Sequence, residues 1–313
     1  MVSAGVLEDN LRSDPLRDCF AAKESVMSKA NIIRRALAER GHLVMPGIYD
    51  ALSAKIAAKA HFEVVFITGY SLSATLLGEP DFGLLTQTEV VSAAQRICSV
   101  IDAPVIVDAD TGYGNAINVI RTVQDLVRAG AAGMFLEDQV WPKRCGHMKG
   151  KQVIALDEQL KKLHAARHAS TSDDFFIVAR TDSRQVLGLN EAISRGIAFK
   201  AAGADAVFIE APETKEEMKE IARNVPGPLV ANMLERGVTP LMGPEELKDL
   251  GFELVVWPLA PLYSVARSLS EVYATLRRDG STLRILDQLM PFDEFNEIVG
   301  LNEKYALDAK FKA

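Results

Sequence analysis

The segments "VRAGAAGMFLED" (127–138) and "FKAAGADAVFIEA" (199–211) repeat one pattern 73 residues apart. In each, Ala-Gly-Ala interrupts a helix-compatible stretch, an apolar run follows, and a glutamate, Glu137 or Glu210, ends the run. Glycine tolerates the left-handed backbone that stops a helix. The repeat therefore predicts a chain in which helices and strands alternate, with a charged side chain where a strand ends.

Apolar runs of this kind recur along the chain, and we predict eight strands, at 42–47, 63–69, 104–110, 132–138, 175–181, 205–211, 228–233 and 253–259. Apolar and polar residues do not alternate in these runs, as they would in strands with one face in water. The segments between them, such as 86–101 and 189–204, place apolar residues at helical spacing. This pattern is typical of a parallel sheet covered by helices.

Eight strand–helix units within roughly 270 residues predict an α/β fold, a closed (β/α)8 TIM-type barrel. A doubly wound open sheet is the alternative, but it usually carries GxGxxG after its first strand, and "MPGIYDALSA" (45–54) does not. We divide the chain into an N-terminal arm (1–30), the barrel as the catalytic domain (31–265), and C-terminal helices (266–313) for barrel capping and oligomerisation.

The composition is that of a soluble globular protein, with 48% hydrophobic and 25% charged residues among 313. A net charge of −7 argues against a nucleic-acid binder, which normally carries a basic face. No apolar run approaches the ~20 residues that span a bilayer, so no membrane partner is expected. Three scattered cysteines, Cys19, Cys98 and Cys145, fit a reducing compartment. We expect a cytoplasmic location, with an organellar one left open.

Polar residues cluster where the predicted strands end, and this is the end of a barrel that carries active sites. In "VDADTGYG" (107–114), Asp108 and Asp110 are alternate strand residues and should point the same way. Carboxylates with retained waters are the ligand set of Mg²⁺. Gly112 and Gly114 would let the backbone turn tightly and approach a ligand. The alternative is an N-capping aspartate followed by a turn. Glu137 and Glu210, at other strand ends on the same face, favour the metal as direct ligands or as groups that support them.

Arg180 ends the strand "FFIVAR" (175–180), where its planar guanidinium could bind a substrate carboxylate or phosphate. An ion pair with Asp182 or Glu210 is the equally open alternative.

The run "KRCGHMKGK" (143–151) surrounds Cys145 with basic residues. Lys143, Arg144 and His147 should favour the thiolate and tune Cys145 for proton transfer. Gly146 and Gly150 suit a loop that closes over a site. The alternative, a cysteine that packs as a small apolar residue, is disfavoured because this run is not core-like.

Eight motifs in family order resemble those of the isocitrate lyase/phosphoenolpyruvate mutase superfamily: "PGIYDALSA" (46–54), "ITGYSLSA" (67–74), "PDFG" (80–83), "VDADTGYG" (107–114), "FLEDQVWPKRCGH" (135–147), "VARTD" (178–182), "FIEAP" (208–212) and "ANMLERG" (231–237). The resemblance implies Mg²⁺, or Mn²⁺, held by Asp108 and Asp110 with Glu137 in support. It implies a homotetramer of paired subunits that exchange their last helix.

The resemblance also assigns the site residues. Cys145 would protonate the leaving enolate, and the catalytic residues would be Cys145, Lys143, His147 and Arg180. The ligand would be held by Thr68, Gly69, Tyr70, Ser71, Asp81, Gly146, Arg180, Glu210, Asn232 and Pro258. Phosphonate mutases of the superfamily lack the cysteine, so chemistry at a P–C bond is disfavoured.

Three positions narrow the implied substrate, a small dicarboxylate. Methylisocitrate lyases usually carry Arg, Thr and Arg where this chain has Met148, Leu234 and Tyr263. The chain is therefore more similar to the group of the petal death protein, 2,3-dimethylmalate lyase and oxaloacetate hydrolase. A serine in place of Pro258 accompanies oxaloacetate hydrolysis in that group, so Pro258 favours a lyase.

We therefore expect a Mg²⁺-dependent carbon–carbon lyase that cleaves a 2-hydroxy dicarboxylate of the 2-alkylmalate type, such as 2,3-dimethylmalate, by a retro-aldol step. The products would be an α-oxo acid and a carboxylic acid. The alternatives are an oxaloacetate hydrolase giving oxalate and acetate, a 2-methylisocitrate lyase, and a non-catalytic barrel that serves as a binding module.

Overall fold

The computed structural model describes residues 27–170 and 174–312. Eight parallel strands follow one another around a closed barrel, and the first pairs with the last. This confirms the predicted (β/α)8 fold. The strands are β1 (Leu43–Ile48), β2 (Val65–Ile67), β3 (Val105–Asp108), β4 (Gly133–Glu137), β5 (Phe176–Thr181), β6 (Ala206–Ile209), β7 (Leu229–Asn232) and β8 (Leu254–Trp257).

Most residues on both faces of the strands are buried, which explains why the strand runs are continuously apolar. One set of alternate side chains fills the barrel interior, namely Met45, Phe66, Ile106, Phe135, Val178, Phe208, Val230 and Val256. The other set packs against the surrounding helices and includes Ile67, Val107, Met134 and Leu136.

Helices connect the strands on the outside of the barrel. They are α1 (Lys29–Arg40), α2 (Ala51–Lys59), α3 (Gly69–Leu72), α4 (Gln87–Cys98), α5 (Ala116–Arg128), α6 (Leu156–Ala169), α7 (Ser183–Leu187), α8 (Leu189–Ala201), α9 (Lys215–Asn224) and α10 (Pro244–Leu250), with a π-helical turn at Ser73–Leu77. Gly130 and Gly203, the glycines of the two repeats, have φ of +89° and +93°. They follow α5 and α8 in the left-handed conformation that the repeats predict.

Helix α1 closes the end of the barrel opposite the C-terminal ends of the strands. Its Ala30, Ile33 and Leu37 are buried in the same cluster as the inward-facing strand residues. Residues 1–26, most of the predicted N-terminal arm, lie outside the described residues. The domain boundaries therefore stay predictions.

The C-terminal helices are α11 (Ala260–Asp279), a 3₁₀ segment (Leu283–Gln288), α12 (Phe292–Val299) and α13 (Leu301–Lys312). Neither α12 nor α13 buries a side chain within the single chain. Phe292 and Phe311 are each 78% exposed. Among the helices that the structure describes, none combines the length and apolarity needed to cross a membrane.

Candidate active site

A cavity of about 50 Å³ lies at the C-terminal ends of the strands. Eleven of the predicted site residues line it: Thr68, Tyr70, Asp81, Asp108, Cys145, Gly146, His147, Arg180, Glu210, Asn232 and Pro258. The other five, Gly69, Ser71, Asp110, Glu137 and Lys143, lie behind this lining, and each contacts a residue of it.

The strand register brings the lining residues together. Each polar strand-end residue lies two positions after an inward-facing core residue, and alternate residues of a strand point the same way. Thr68 follows Phe66, Asp108 follows Ile106, Glu137 follows Phe135, Arg180 follows Val178, Glu210 follows Phe208, Asn232 follows Val230 and Pro258 follows Val256.

An aromatic floor, consisting of Phe66, Phe135 and Phe208, lies beneath these polar groups. The ring centroids of Phe66 and Phe135 are 4.5 Å apart, and those of Phe135 and Phe208 are 5.7 Å apart. The Arg180 guanidinium lies 5.2 Å from the Phe208 ring. The sequence interpretation did not include this floor, although its members are the residues two positions before the polar strand ends.

Asp108 and Asp110 approach each other for a different reason from the predicted one. Strand β3 ends at Asp108, and Asp110 has φ of +48°, so strand alternation does not align them. Instead a turn lets the Asp110 N–H donate to Asp108 Oδ1 at 3.1 Å. The Gly69 N–H donates to Asp108 Oδ2 at 3.2 Å. The capping alternative does not apply, because Asn115 caps α5.

Gly112 and Gly114 form the tight turn that we expected after β3, and the approach of the backbone to a ligand stays a prediction. Both have positive φ, +81° and +146°. A Cβ on Gly112 would lie 2.5 Å from Val119 Cγ2, and one on Gly114 would overlap the Asn118 side chain. The two glycines therefore serve the turn and its packing on α5.

The carboxylates around β3 and β4 outnumber the cations beside them. Asp110 Oδ1 and both oxygens of Glu137 are buried, and their cationic neighbours are Lys143 and Arg180. Lys143 Nζ lies 2.6 Å from Asp110 Oδ1 and 2.7 Å from Asp81 Oδ2. Burial raises the pKa of Asp110 to about 7, and although Lys143 opposes this rise, Asp108 and Asp81 add to it. A bound cation would offset this excess of negative charge.

The donor set fits Mg²⁺ or Mn²⁺ held largely through waters. In the described ranges, no three or more His, Cys, Asp or Glu side chains are grouped so that they could hold a metal directly. Two carboxylates, Asp108 and Asp110, with water completing the coordination, are a typical Mg²⁺ environment. Glu137 is placed to accept hydrogen bonds from such waters.

Arg180 is held by three carboxylates, so the ion-pair alternative describes its environment. Its Nε lies 2.9 Å from Asp182 Oδ2 and 3.3 Å from Glu137 Oε2, and its Nη2 lies 3.2 Å from Glu210 Oε2. Burial alone would raise the pKa of Glu210, but Arg180 and then His147 lower that pKa to about 2. Arg180 nevertheless lines the cavity, where a ligand carboxylate could reach it.

The segment 143–151 is fixed by its buried lysines. Lys143 and Lys151 are both buried, and Lys151 Nζ donates to Asp182 Oδ1 at 2.8 Å and to Gly146 O. The base of the segment is closed by an antiparallel bridge between Gln139 and Val153.

Cys145 carries a thiol rather than the expected thiolate. Burial raises its pKa to about 11, and although the backbone N–H of His147 and the Lys143 ammonium lower it, Asp81 and Glu210 raise it further. The expectation that basic neighbours ionise the sulfur is therefore wrong, because Lys143 is paired with carboxylates. Tyr70 and Tyr263 are also titratable neighbours of Cys145.

Gly146 is required by close packing rather than by mobility. A Cβ on it would overlap Glu210 Oε2 and would lie 2.5 Å from Arg180 Nη2. Only Gly150 of the two loop glycines has a positive φ, +81°.

His147 is fixed on both sides of its ring. Nδ1 accepts the Val238 N–H at 3.1 Å, and Nε2 lies 3.3 Å from Glu210 Oε1. The neutral ring therefore carries its proton on Nε2, directed at Glu210. Asn232 Nδ2 lies 3.3 Å from both Glu210 oxygens, so Glu210 joins Arg180, His147 and Asn232 into one wall.

Comparison with known proteins gives a consistent family. The family model described as phosphoenolpyruvate phosphomutase matches residues 33–277. The chain is 51% identical to carboxyvinyl-carboxyphosphonate phosphorylmutase, chloroplastic, of Arabidopsis thaliana (88% of this chain, 83% of the relative). It is 49% identical to the petal death protein of Dianthus caryophyllus (90% and 88%) and 44% identical to 2,3-dimethylmalate lyase of Eubacterium barkeri (88% and 96%).

Solved structures of similar proteins share the fold. A crystal structure of 2,3-dimethylmalate lyase superposes with a TM-score of 0.85 at 36% identity, covering 91% of this chain and 95% of that one. Oxaloacetate acetylhydrolase with the inhibitor 3,3-difluorooxalacetate gives a TM-score of 0.86 at 35% identity, covering 91% and 98%.

Proposed function

The chain belongs to the isocitrate lyase/phosphoenolpyruvate mutase superfamily, and from this membership we propose that it is a Mg²⁺-dependent carbon–carbon lyase acting on a 2-alkylmalate-type dicarboxylate such as 2,3-dimethylmalate. One observation carries the proposal. A cysteine, Cys145, lines the same cavity as Arg180 and Asp108.

A retro-aldol cleavage needs a proton donor at the carbon that leaves. Removal of the 2-hydroxyl proton turns C2 into the carbonyl of the α-oxo acid while the C2–C3 bond breaks. The electron pair of that bond goes to C3, giving the enolate of the second carboxylic acid. Cys145 delivers its thiol proton to C3, and its raised pKa keeps this proton available at neutral pH.

The other residues bind and orient the substrate. Arg180 presents its guanidinium to a substrate carboxylate, and Asn232 and His147 hold Glu210 in place beside it. Thr68 and the first residues of α3, namely Gly69, Tyr70 and Ser71, would receive the oxo-acid end, next to Asp108 and Asp110. Mg²⁺ bound there would supply Lewis-acid polarisation of the substrate oxygens.

The cavity wall supports a substrate with an alkyl substituent. Leu234, Pro258 and Leu259 line the cavity beside the charged wall. Contact of an alkyl group with such an apolar surface favours binding, whereas a third carboxylate would be buried there without a hydrogen-bond donor or a cation. This favours an alkylmalate over a tricarboxylate such as methylisocitrate.

The alternatives rest on weaker observations. The similarity to oxaloacetate acetylhydrolase supports oxaloacetate as a second candidate, but Pro258 supplies no hydroxyl at the end of β8. Methylisocitrate is third. A non-catalytic binding module is least supported, because Asp108, Asp110 and Cys145 are all retained.

The discriminating experiment is a substrate panel with and without Mg²⁺. It includes 2,3-dimethylmalate and other alkylmalates, oxaloacetate and methylisocitrate. Phosphoenolpyruvate is added because of the name of the family model, and carboxyvinyl-carboxyphosphonate because of the name of the Arabidopsis relative. We expect the highest kcat/KM on an alkylmalate, with an α-oxo acid among the products. Oxalate formation as the main activity, or conversion of phosphoenolpyruvate to a phosphonate, would contradict the proposal.

We also propose an oligomeric state and a cellular location for the chain. A homotetramer with an exchanged last helix is supported by the exposed apolar side chains of α12 and α13. A cytoplasmic location is proposed, and the chloroplastic name of the Arabidopsis relative supports an organellar location as the alternative.

A further inference from the structure

Cys145 begins a β-turn whose central peptide has two contacts. The Met148 N–H donates to Cys145 O at 2.8 Å, so residues 145–148 form the turn. Its central peptide joins Gly146 to His147. Neither residue has a positive φ, which excludes a type II turn and the mirror-image types I′ and II′. The N–H of this peptide faces the Cys145 sulfur, as the N–H two residues on does in an Asx turn.

Lys151 binds the other side of the same peptide. Its side chain is fully buried, and Nζ donates to Gly146 O and, at 2.8 Å, to Asp182 Oδ1. Asp182 in turn accepts both Nε and Nη2 of Arg180, at 2.9 and 3.1 Å. One ammonium thus connects the turn that carries the thiol with the arginine of the cavity wall.

We propose that Lys151 is a positioning residue for Cys145 and Arg180. By holding the Gly146 carbonyl, it fixes the orientation of the central peptide and keeps the turn closed against the cavity. By holding Asp182 Oδ1, it fixes the carboxylate that orients the Arg180 guanidinium. The catalytic consequence rests on the proposed lyase function, whereas the effect on the turn does not.

The loss of Lys151 would leave two buried acceptors without this donor. A buried carbonyl without a hydrogen bond is costly, and the turn can relieve the cost by lifting so that water reaches Gly146. The Gln139–Val153 bridge would remain, because Lys151 takes no part in it. The opening is therefore confined to the segment above the bridge.

The experiment compares Lys151→Met with Lys149→Met, a matched control in the same segment. The Lys149 side chain is exposed, and among the described contacts only its backbone oxygen is used, by Arg144. Two readouts need no substrate: the rate of Cys145 alkylation by iodoacetamide at fixed pH, and tryptic cleavage after Arg144. Both are quantified by mass spectrometry of the corresponding peptides.

For Lys151→Met we expect about tenfold faster alkylation and cleavage, the factor that corresponds to losing one buried hydrogen bond from a charged group. Lys151→Arg keeps a cation with N–H donors and should restore both rates in part. Lys149→Met should match the wild type. Equal rates for Lys151→Met and Lys149→Met would overturn the proposal. So would faster cleavage throughout the chain with a lowered Tm, because the role would then be structural.

Should Lys151→Met fail to fold, Lys151→Gln replaces it, since glutamine keeps an N–H donor without the charge. The expected increase is then smaller, and the same comparison with Lys149→Met decides the outcome. In steady-state assays Lys151→Met should lower kcat more than it raises KM, because the turn positions a group used in the transition state. If no panel substrate is turned over by the wild type, the proposed function fails, and the alkylation result still tests the role of Lys151.

Discussion

Lys143 Nζ lies 2.6 Å from Oδ1 of Asp110, a carboxylate proposed to hold Mg²⁺. The ammonium also contacts Asp81 and is almost fully buried. It balances part of the negative charge of the site, while the buried Glu137 lies 3.3 Å from Arg180 Nε, a guanidinium that Asp182 and Glu210 share. The site is therefore built for more positive charge than its own side chains provide.

Metal binding should depend on Asp110. Addition of Mg²⁺ to EDTA-treated protein should raise the Tm. At a hundredfold excess of Mg²⁺ over Kd, the free energy of unfolding should increase by about 2.7 kcal/mol. Asp110→Asn should remove this dependence because it halves the carboxylate set. Asp102→Asn, at a site in a separate surface cleft, is the control. An unchanged Mg²⁺ response in Asp110→Asn would show that the ion binds elsewhere.

Replacement of the proton donor should affect turnover and not binding. Cys145→Ser is expected to lower kcat by about 10²–10⁴-fold with little change in KM, because a hydroxyl is a much weaker acid than a thiol. Cys98→Ser is the matched control, since Cys98 lies beside Gly130 and outside the cavity. Steady-state kinetics decide the matter, and full turnover by Cys145→Ser would refute the assignment.

The raised pKa of Cys145 predicts the pH dependence of its alkylation. In the folded chain the reaction should be slow at neutral pH and should increase as the pH rises toward about 11. In urea the midpoint should fall to about 8.5, the ordinary value of a thiol. Since the folded pKa is the higher one, this thiol stabilises the fold below pH ~8.5 and loses that contribution as the pH rises to about 11. A folded midpoint at or below the unfolded one would contradict this prediction.

Gly146 should not tolerate a methyl group. In Gly146→Ala the new Cβ would push against Glu210 and the Arg180 guanidinium, so we expect kcat/KM to fall about a hundredfold, as for a displacement of roughly 1 Å at a catalytic group. Gly243→Ala is the control, because no atom lies within 4 Å of its Cβ position. Equal activity of the two variants would mean that the wall can shift freely.

The C-terminal helices should determine the assembly state. The full chain is expected to sediment as a tetramer of 34.1 kDa subunits. A chain ending before Phe292 lacks α12 and α13 with their exposed apolar side chains and should sediment as a smaller species. Analytical ultracentrifugation measures both. A full chain that is monomeric at micromolar concentration would contradict the assembly proposal.

The barrel and most of the cavity lining could be predicted from the sequence, because burial of both strand faces leaves continuous apolar runs that end in polar residues. The ion-pair partners of the charged residues could not be predicted from the sequence. Lys143 pairs with Asp81, 62 positions earlier, and nothing local distinguishes that carboxylate from the others at the barrel mouth. The basic run 143–151 consequently suggested an ionised sulfur, whereas its buried lysines are already neutralised by aspartates.

The glycines show the same limit. The sequence does not show which residues surround a glycine in space. Gly146 therefore suggested mobility, although it marks a close contact with Glu210 and Arg180. Asp108 and Asp110 lie close together as expected, but the reason is the left-handed backbone of Asp110 after the strand. The identity of the residue as aspartate does not predict that conformation.

The aromatic floor has a kinetic consequence. Phe66, Phe135 and Phe208 fill the barrel beneath the cavity, and α1 closes the far end, so the described part of the chain offers no passage through the barrel. Both products of a cleavage must leave by the mouth through which the substrate came. Product release is therefore ordered, and the fragment nearer the mouth leaves first. The fragment that leaves last should inhibit competitively against the substrate, and the other should not.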